Sequence, residues 1–571
     1  MKMSVRAACG MALTATLFMG PTSLRGQKDA GNPQHSESPI RFELKELPFR
    51  LNSDESQSRN VPETMAGGVA VFDYDGDGRP DIFFANGADL ATLQKTGEKH
   101  WNRLYHNNGD GTFTDVTVKA GLQGTGFDVG VAVGDYDNDG YPDLFVTGVY
   151  GNHLYHNNGN GTFTDVTHQA GLDKWNDPEF GPLWAVAAAW VDVNNDGRLD
   201  LFVVNYLQWT YDKKPLCVIE QTPEYCHPRY YKGLPNQLFL NQGDGTFKDV
   251  SKEWGIREHV GKGMGVGVAD LDLDGKQDLF VTNDGEYNFL FHNLGNKFEE
   301  IAFQTNTALA EGGSFISGMG VDFRDINNDG YPDIGYVALN RETFPILLNT
   351  GKGDFRDVTA SSKMGTNSFN MAGFGPAFYD FDNDGWKDLF VSRGHVTATR
   401  PPGAVSKQPN TVFRNLGAGG QWQPLTEEAG FTEATAGRHR GCALGDFEGS
   451  GLIDIVVTSM DHPAELWLNR SPHPGHWLGV ALEGVKSNRD GIGALVNVTS
   501  KSGTQYNHQT SSVCYASSSL GPVHFGLGKD AIADEIEIHW PSGIVQKLKD
   551  IKADQIIHVK EAVSQSDGGR K

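Results

Sequence analysis

The sequence predicts an all-β chain, a seven-bladed β-propeller followed by a small β-sandwich or barrel. Three observations carry this: a nine-residue acidic loop recurs seven times, each copy is flanked by β-rich runs, and a short strand ending in Asn follows each copy. A unit that cannot bury its own faces, but can stack on copies of itself, marks a repeat architecture.

The loop from Asp135 to Asp143 reads DYDNDGYPD. Asp135, Asp137 and Asp139 alternate with Tyr136 and Asn138, so the odd-numbered carboxylates converge, and Gly140 permits the positive φ of a tight reversal. The carbonyl of Tyr141 and the carboxylate of Asp143 complete an all-oxygen shell, which suits calcium better than magnesium or zinc. The same spacing assigns ligands at Asp73, Asp75, Asp77 and Asp81; at Asp192, Asn194, Asp196 and Asp200; and at Asp270, Asp272, Asp274 and Asp278. It also assigns Asp325, Asn327, Asp329 and Asp333, and Asp380, Asp382, Asp384 and Asp388. Six intact loops imply about six calcium ions. A seventh loop, Asp446 to Asp454, has Ser450 at the fifth position and is expected to bind weakly or not at all. An EF-hand would carry Glu at position twelve, where these loops have Phe84, Val146, Val203, Val281, Tyr336 and Val391.

Each loop follows a small-residue strand, such as Gly130-Val-Ala-Val133, and precedes an apolar one, such as Asp143-Leu-Phe-Val-Thr147. A third strand ends in Asn107, Asn157, Asn241, Asn293, Asn349, Asn415 or Asn469, and a Gly-rich turn leads into a fourth. Fourth strands begin at Phe113, Phe163, Phe247, Phe298, Phe355 and Trp422, one fewer than the other strands. The alternating run Arg41 to Leu47 is the expected substitute, joining the last blade and closing the ring over residues 40–470. Residues 476–560 alternate between Gly-rich turns and form the second β domain. Ser517, Ser519, His508 and His524 in that domain read as satisfied polar residues of a sheet, since no nucleophile elbow accompanies them.

The net charge of -24 matches the 22 acidic residues held by the six intact loops, so the acidity reads as metal sites and argues against nucleic-acid binding. Residues 1–26 carry Lys2 and Arg6, an apolar run and small residues, the pattern of a secretory signal peptide. A polar leader at 27–39 and a tail at 561–571 are expected to be disordered, and no stretch is apolar enough to span a membrane. The expected location is secreted, periplasmic or cell-surface. Export permits a disulfide between Cys217 and Cys226 in an irregular insertion, whereas Cys442 and Cys514, in apolar β contexts, read as buried thiols.

The repeats resemble the FG-GAP (VCBS) repeats of integrin-α-like propellers, with Gly373-Phe-Gly-Pro-Ala377 nearest to the motif of that name. The tail resembles the ASPIC/UnbV domain through Ser487-Asn-Arg-Asp-Gly-Ile-Gly-Ala494, His524-Phe-Gly-Leu-Gly528 and Trp540-Pro-Ser-Gly543. The combination is similar to bacterial relatives of cartilage acidic protein. This resemblance implies an exported, calcium-stabilised scaffold that binds an extracellular protein or glycan. The alternative is a calcium-dependent carbohydrate-active enzyme of the polysaccharide lyase or dehydratase type, with acid–base residues on its loops. Strand parity places the long connections on the face opposite the calcium loops. Their aromatic and basic residues, Trp175, Trp184, Trp209, Arg229, Tyr230, Tyr231, Arg393, His395, Arg438, His439 and Arg440, form the expected ligand face.

Overall fold

A computed structural model describes residues 37–219, 221–397 and 405–562. The signal-peptide assignment and nearly all of the leader and tail assignments lie outside the described residues. Glu561, assigned to the tail, is instead buried, because its carboxylate accepts backbone N–H groups of Val485, Lys486 and Ser487 at 2.7, 2.7 and 2.9 Å.

Seven four-stranded antiparallel units are present among the described residues. In a representative unit, Asp128–Gly134 pairs with Asp143–Gly148 across the acidic loop, then His153–Asn157 and Phe163–Asp165 follow outward. The first strands pack against one another in a cycle that returns to its start, which makes the array a propeller. Their small residues are required by this convergence. A Cβ on Gly68 would lie 2.5 Å from the Cα of Gly130, and one on Gly130 would lie 2.4 Å from the carbonyl oxygen of Val186.

The repeated Asn is a staple between neighbouring units. Asn157 Nδ2 donates to the carbonyl of Tyr74 in the preceding loop at 2.8 Å, and Asn241 to Tyr136 at 2.7 Å. Asn293, Asn349, Asn415 and Asn469 repeat the bond to Val193, Leu271, Ile326 and Phe381. Asn107 completes the circuit by donating to Phe447 of the last unit at 3.3 Å. A buried amide with all its bonds made fixes spacing between sheets that apolar packing alone leaves free to slide.

The last unit takes its outer strand from the N-terminus: Phe42–Glu46 pairs with Glu465–Asn469, Phe42 opposite Asn469. Deleting residues 40–50 strips this strand and exposes the edge of Glu465–Asn469. The melting temperature is expected to fall well below that of a variant lacking only 27–39; equal values in a thermal scan would refute the closing role.

The second domain is a sandwich. One sheet holds Val523–Gly528, His476–Glu483 and Gln555–Lys560; the other holds Gly503–His508, Leu495–Ser500, Ile532–His539 and Val545–Lys552. Leu478, Val480, Val496, Val498, Phe525, Ile536 and Ile538 fill the space between them. The sandwich rests on the acidic-loop face. Arg489 N donates to Asn138 Oδ1 (2.7 Å), Lys387 Nζ to the Tyr506 carbonyl (3.0 Å) and Gly528 N to the Asn383 carbonyl (2.8 Å).

Between its strands the sandwich sends a hairpin, Ser512–Val513 and Ser517–Ser519, down the propeller axis. Ser517–Ser519 pairs in parallel with Val69–Phe72, Ala70 opposite Ser518. The hairpin satisfies donors all round the ring: Val131 N reaches the Ala516 carbonyl (3.0 Å), Val321 N the Cys514 carbonyl (3.2 Å), Val133 N Ser518 Oγ (3.1 Å) and Leu444 N Ser519 Oγ (2.9 Å). The Tyr515 hydroxyl donates to the Met65 carbonyl at 2.8 Å. Cys442 and Cys514 are disulfide-bonded, which corrects their assignment as separate thiols. The pairing was invisible because it depends on this hairpin entering the ring beside the first strand of the last unit.

Candidate metal centres and the loop face

Each acidic loop is held by its own backbone before any ion is considered. Asp135 accepts N–H groups from Asp139 (3.0 Å) and Gly140 (2.7 Å), while Asp143 accepts from Tyr136 (3.2 Å) and from Asn157 on the third strand (2.7 Å). Two left-handed residues make the reversal, Asn138 at φ 60° and Gly140 at φ 95°. The fourth-position Asn also ties loop to loop: Asn138, Asn195, Asn328 and Asn383 donate to the carbonyls of Gly197, Gly275, Gly385 and Gly451 in the next loop round.

The structure brings together the carboxylates that sequence spacing assigned. Oxygens of Asp73, Asp75 and Asp77 lie within 4.8 Å of one another. Burial, with neighbouring carboxylates adding to it, pushes Asp81 and Asp135 up to about 8, Asp143 and Asp270 to about 7 and Asp192 to about 6. Asp380, Asp388, Asp200 and Asp333 are raised well above the ordinary range for the same reason. Oδ1 of Asp382 is buried without a hydrogen-bond partner. Crowded, desolvated carboxylates with an orphaned oxygen fit a divalent cation bound through oxygen. The side chains at positions 1, 3, 5 and 9 and the carbonyl at position 7 would hold it.

Sequence reasoning missed the side chain before the repeated Asn. His156 Nδ1 lies 3.3 Å from both Asp137 and Asp143, and contact with Asp143 raises its pKa to about 9. His106 and His292 sit likewise against Asp81 (3.3 Å) and Asp278 (3.1 Å), and Arg414 bonds Asp382 and Asp384. The signal was present, since this position is Leu in the repeats ending at Asn241, Asn349 and Asn469. A second omission is Asp490 of the sandwich, a half-buried residue whose carboxylate accepts the N–H of Asp135 at 2.8 Å. In the seventh loop Glu448 pairs with Arg470 at 2.6 Å, and the Trp477 ring of the sandwich lies over Gly451.

The opposite face differs from expectation. Trp184, Trp209, Arg393, His395, Arg438, His439 and Arg440 are buried, so they cannot form an open docking surface. Arg440, with no exposed surface, sits 3.9 Å from the centre of the Phe374 ring and donates to the Thr64 and His439 carbonyls. Arg438 pairs with Glu55 (2.8 Å) and Asp461 (3.0 Å), and Arg393 donates to Gln408 and Thr411. The cause is the insertion at 208–235, which folds over the segment preceding the first strand. Lys214 Nζ reaches the Ser58 carbonyl (2.9 Å), and the Tyr225 hydroxyl reaches Glu55 (3.0 Å) and Glu63 (3.1 Å). Cys217 and Cys226 are disulfide-bonded within it, as expected. Trp175 (40 % exposed), Arg229 and Tyr230 (55 %) do face solvent, and Tyr231 is half-buried. The Arg229 guanidinium lies over the Tyr230 ring at 5.0 Å.

The FG-GAP-like repeat model matches residues 73–146, 135–203, 230–281, 270–336 and 325–391, and the ASPIC and UnbV model matches 484–566. Cartilage acidic protein 1 of Xenopus tropicalis is 28% identical over 502 residues, covering 84% of this chain and 71% of that protein. Among solved structures, an Agrocybe aegerita lectin specific for non-reducing terminal N-acetylglucosamine aligns at TM-score 0.39 and 18% identity, over 70% of this chain and 87% of its own. A Bacillus licheniformis rhamnogalacturonan lyase aligns at TM-score 0.38 and 13% identity, over 76% of each chain. Repeats and tail together make the chain a member of the FG-GAP-like repeat family with a C-terminal ASPIC and UnbV domain.

Proposed function

We propose that the protein is an exported scaffold whose ring is held by about six calcium ions and whose face opposite the acidic loops docks a glycan or protein ligand. The observation that carries the reading is the division of labour between the two faces. The sandwich covers the acidic-loop face and its hairpin fills the axis, which leaves the aromatic rim of the opposite face for a partner. Trp175, Arg229 and Tyr230 stand there, joined by Tyr211, 43 % exposed. Flat rings with a polar edge suit stacking on sugars or packing in a protein interface. Export is supported by the leader sequence and by two disulfides, which persist in oxidising compartments. No helix among the described residues is long and apolar enough to cross a membrane. Binding is favoured over lyase chemistry because Arg393, His395, Arg438 and His439, which could have acted as acid, base or charge clamp, are buried in internal contacts.

The test is a panel of acidic and neutral polysaccharides and matrix proteins screened by biolayer interferometry, with unsaturated-product absorbance followed in parallel. For any ligand found, Trp175→Ala with Tyr230→Ala is expected to weaken binding about tenfold or more and to leave calcium stoichiometry unchanged. Unaltered affinity would place the ligand elsewhere, and accumulating unsaturated product would establish the lyase alternative.

A further inference from the structure

At the end of the last propeller unit opposite its acidic loop, three side chains from separate segments converge. His439 opens the first strand, Glu465 opens the third, and His462 stands in the turn between the second and third. One ligand atom from each lies within 4.8 Å of the other two.

The hydrogen bonds around these atoms fix which of them are electron-rich. His439 Nδ1 lies 2.6 Å from the Arg393 carbonyl, and His462 Nδ1 lies 3.0 Å from the Pro463 carbonyl. A carbonyl only accepts, so both Nδ1 atoms carry hydrogen, and in the neutral rings both Nε2 atoms present lone pairs. Those lone pairs face Glu465 Oε1, at 3.2 Å from His439 and 3.5 Å from His462. The other oxygen of Glu465 is already held by Trp467 Nε1 (2.7 Å) and Asn410 Nδ2 (3.0 Å), leaving Oε1 turned toward the imidazoles. His462 Nε2 is buried without a hydrogen-bond partner. Two lone pairs and a carboxylate oxygen therefore meet with no donor among them, an arrangement that is repulsive until a cation enters.

The separations identify the cation. Ligands about 2.1 Å from a tetrahedral ion stand about 3.4 Å apart, and the distances to Glu465 bracket that value. Nδ1–H groups held by backbone carbonyls, and a carboxylate held by an indole and an amide, are the outer contacts that orient metal ligands. Gly437 supplies the room. Its backbone is not left-handed, yet a Cβ there would stand 2.5 Å from His462 Nε2 and 2.9 Å from His439 Nε2, inside the space the cation needs. His439 and Glu465 are fully enclosed while the His462 side chain is 28 % exposed, so an ion can enter and keep a solvent-facing position.

We propose that His439, His462 and Glu465 form a transition-metal site, selective for a Zn2+-like dication over calcium because two of its three ligands are imidazoles. This site is independent of the acidic loops and of the identity of any docking partner. It is tested on the full-length chain in millimolar calcium, which keeps the oxygen cages filled, by equilibrium dialysis with Zn2+ and by absorption spectroscopy with Co2+. The wild type is expected to bind one more equivalent of Zn2+ than His462→Ala and to show visible bands of low-coordinate Co2+ that the variant lacks. His462→Asn, closer in shape, should reproduce the loss, and unchanged melting temperatures in calcium would show that only the site is affected. Equal Zn2+ stoichiometry in wild type and both variants, or no visible Co2+ bands, would overturn the proposal and leave a shared proton as the bridging cation.

Discussion

Chelating calcium is expected to lower the melting temperature of the ring by roughly 15 °C. An ion at about 100 times its dissociation constant stabilises the folded state by about 2.7 kcal/mol, so about six sites contribute on the order of 15 kcal/mol. For a ring of this size, with an unfolding entropy of about 0.9 kcal/mol/K, that is a shift of about 15 °C. The sign of the pH dependence checks the cause. Without metal, Asp81 and Asp135 at about 8 and Asp143 and Asp270 at about 7 lie above the ordinary carboxyl value. The folded state then binds protons that the unfolded chain has released, and stability falls as pH rises from about 4 to about 8. Chelated protein should melt higher at pH 5 than at pH 8. Calcium-loaded protein should show the reverse, because protons compete with the ion for the same oxygens. Scanning calorimetry at both pH values, with and without chelator, measures all four states; a melting temperature indifferent to chelator would sink the structural role of calcium.

Removing the axial hairpin is expected to be as damaging. Cys442 and Cys514 close a loop of sequence separation 72, which in the chain-entropy account corresponds to about 4 kcal/mol. Cys514→Ser should therefore lower the melting temperature by several degrees under oxidising conditions, and dithiothreitol should lower the wild type toward the same value. Replacing residues 511–519 with a Gly-Ser linker goes further. It strips hydrogen-bond acceptors from the N–H groups of Val131, Val133, Val321 and Leu444 and removes the Tyr515 ring, packed 5.2 Å from Phe374. Each buried group left unpaired costs about 1–3 kcal/mol unless water enters, so this variant should melt well below Cys514→Ser. Wild-type melting of the linker variant would show that the ring stands without its plug, and wild-type melting of Cys514→Ser would show that the disulfide adds nothing to it.

What was legible in the sequence is what local chemistry decides. Alternating carboxylates with glycine at the sixth position specify the acidic loop wherever they occur, and the apolar runs beside it specify strands, so the repeat unit and the borrowed strand Phe42–Glu46 could be read directly. Cys217 and Cys226 could be paired because only eight residues lie between them in one insertion. The tertiary structure alone decided which groups from distant segments share a space. The repeated Asn was visible, but its partner lies in the preceding unit, at a distance only ring curvature sets. Arg438 and Arg440 look alike in sequence to solvent-facing cations, and they are buried against residues 55–64, over which an insertion more than 200 residues earlier folds. Cys442 meets Cys514, and His439 meets His462 and Glu465, through docking of a hairpin and through strand register, neither of which leaves a spacing signature. Periodicity reports a residue's own element and its face. Burial, pairing and metal geometry are properties of what packs against that face, and in a ring the packing partner is set by closure.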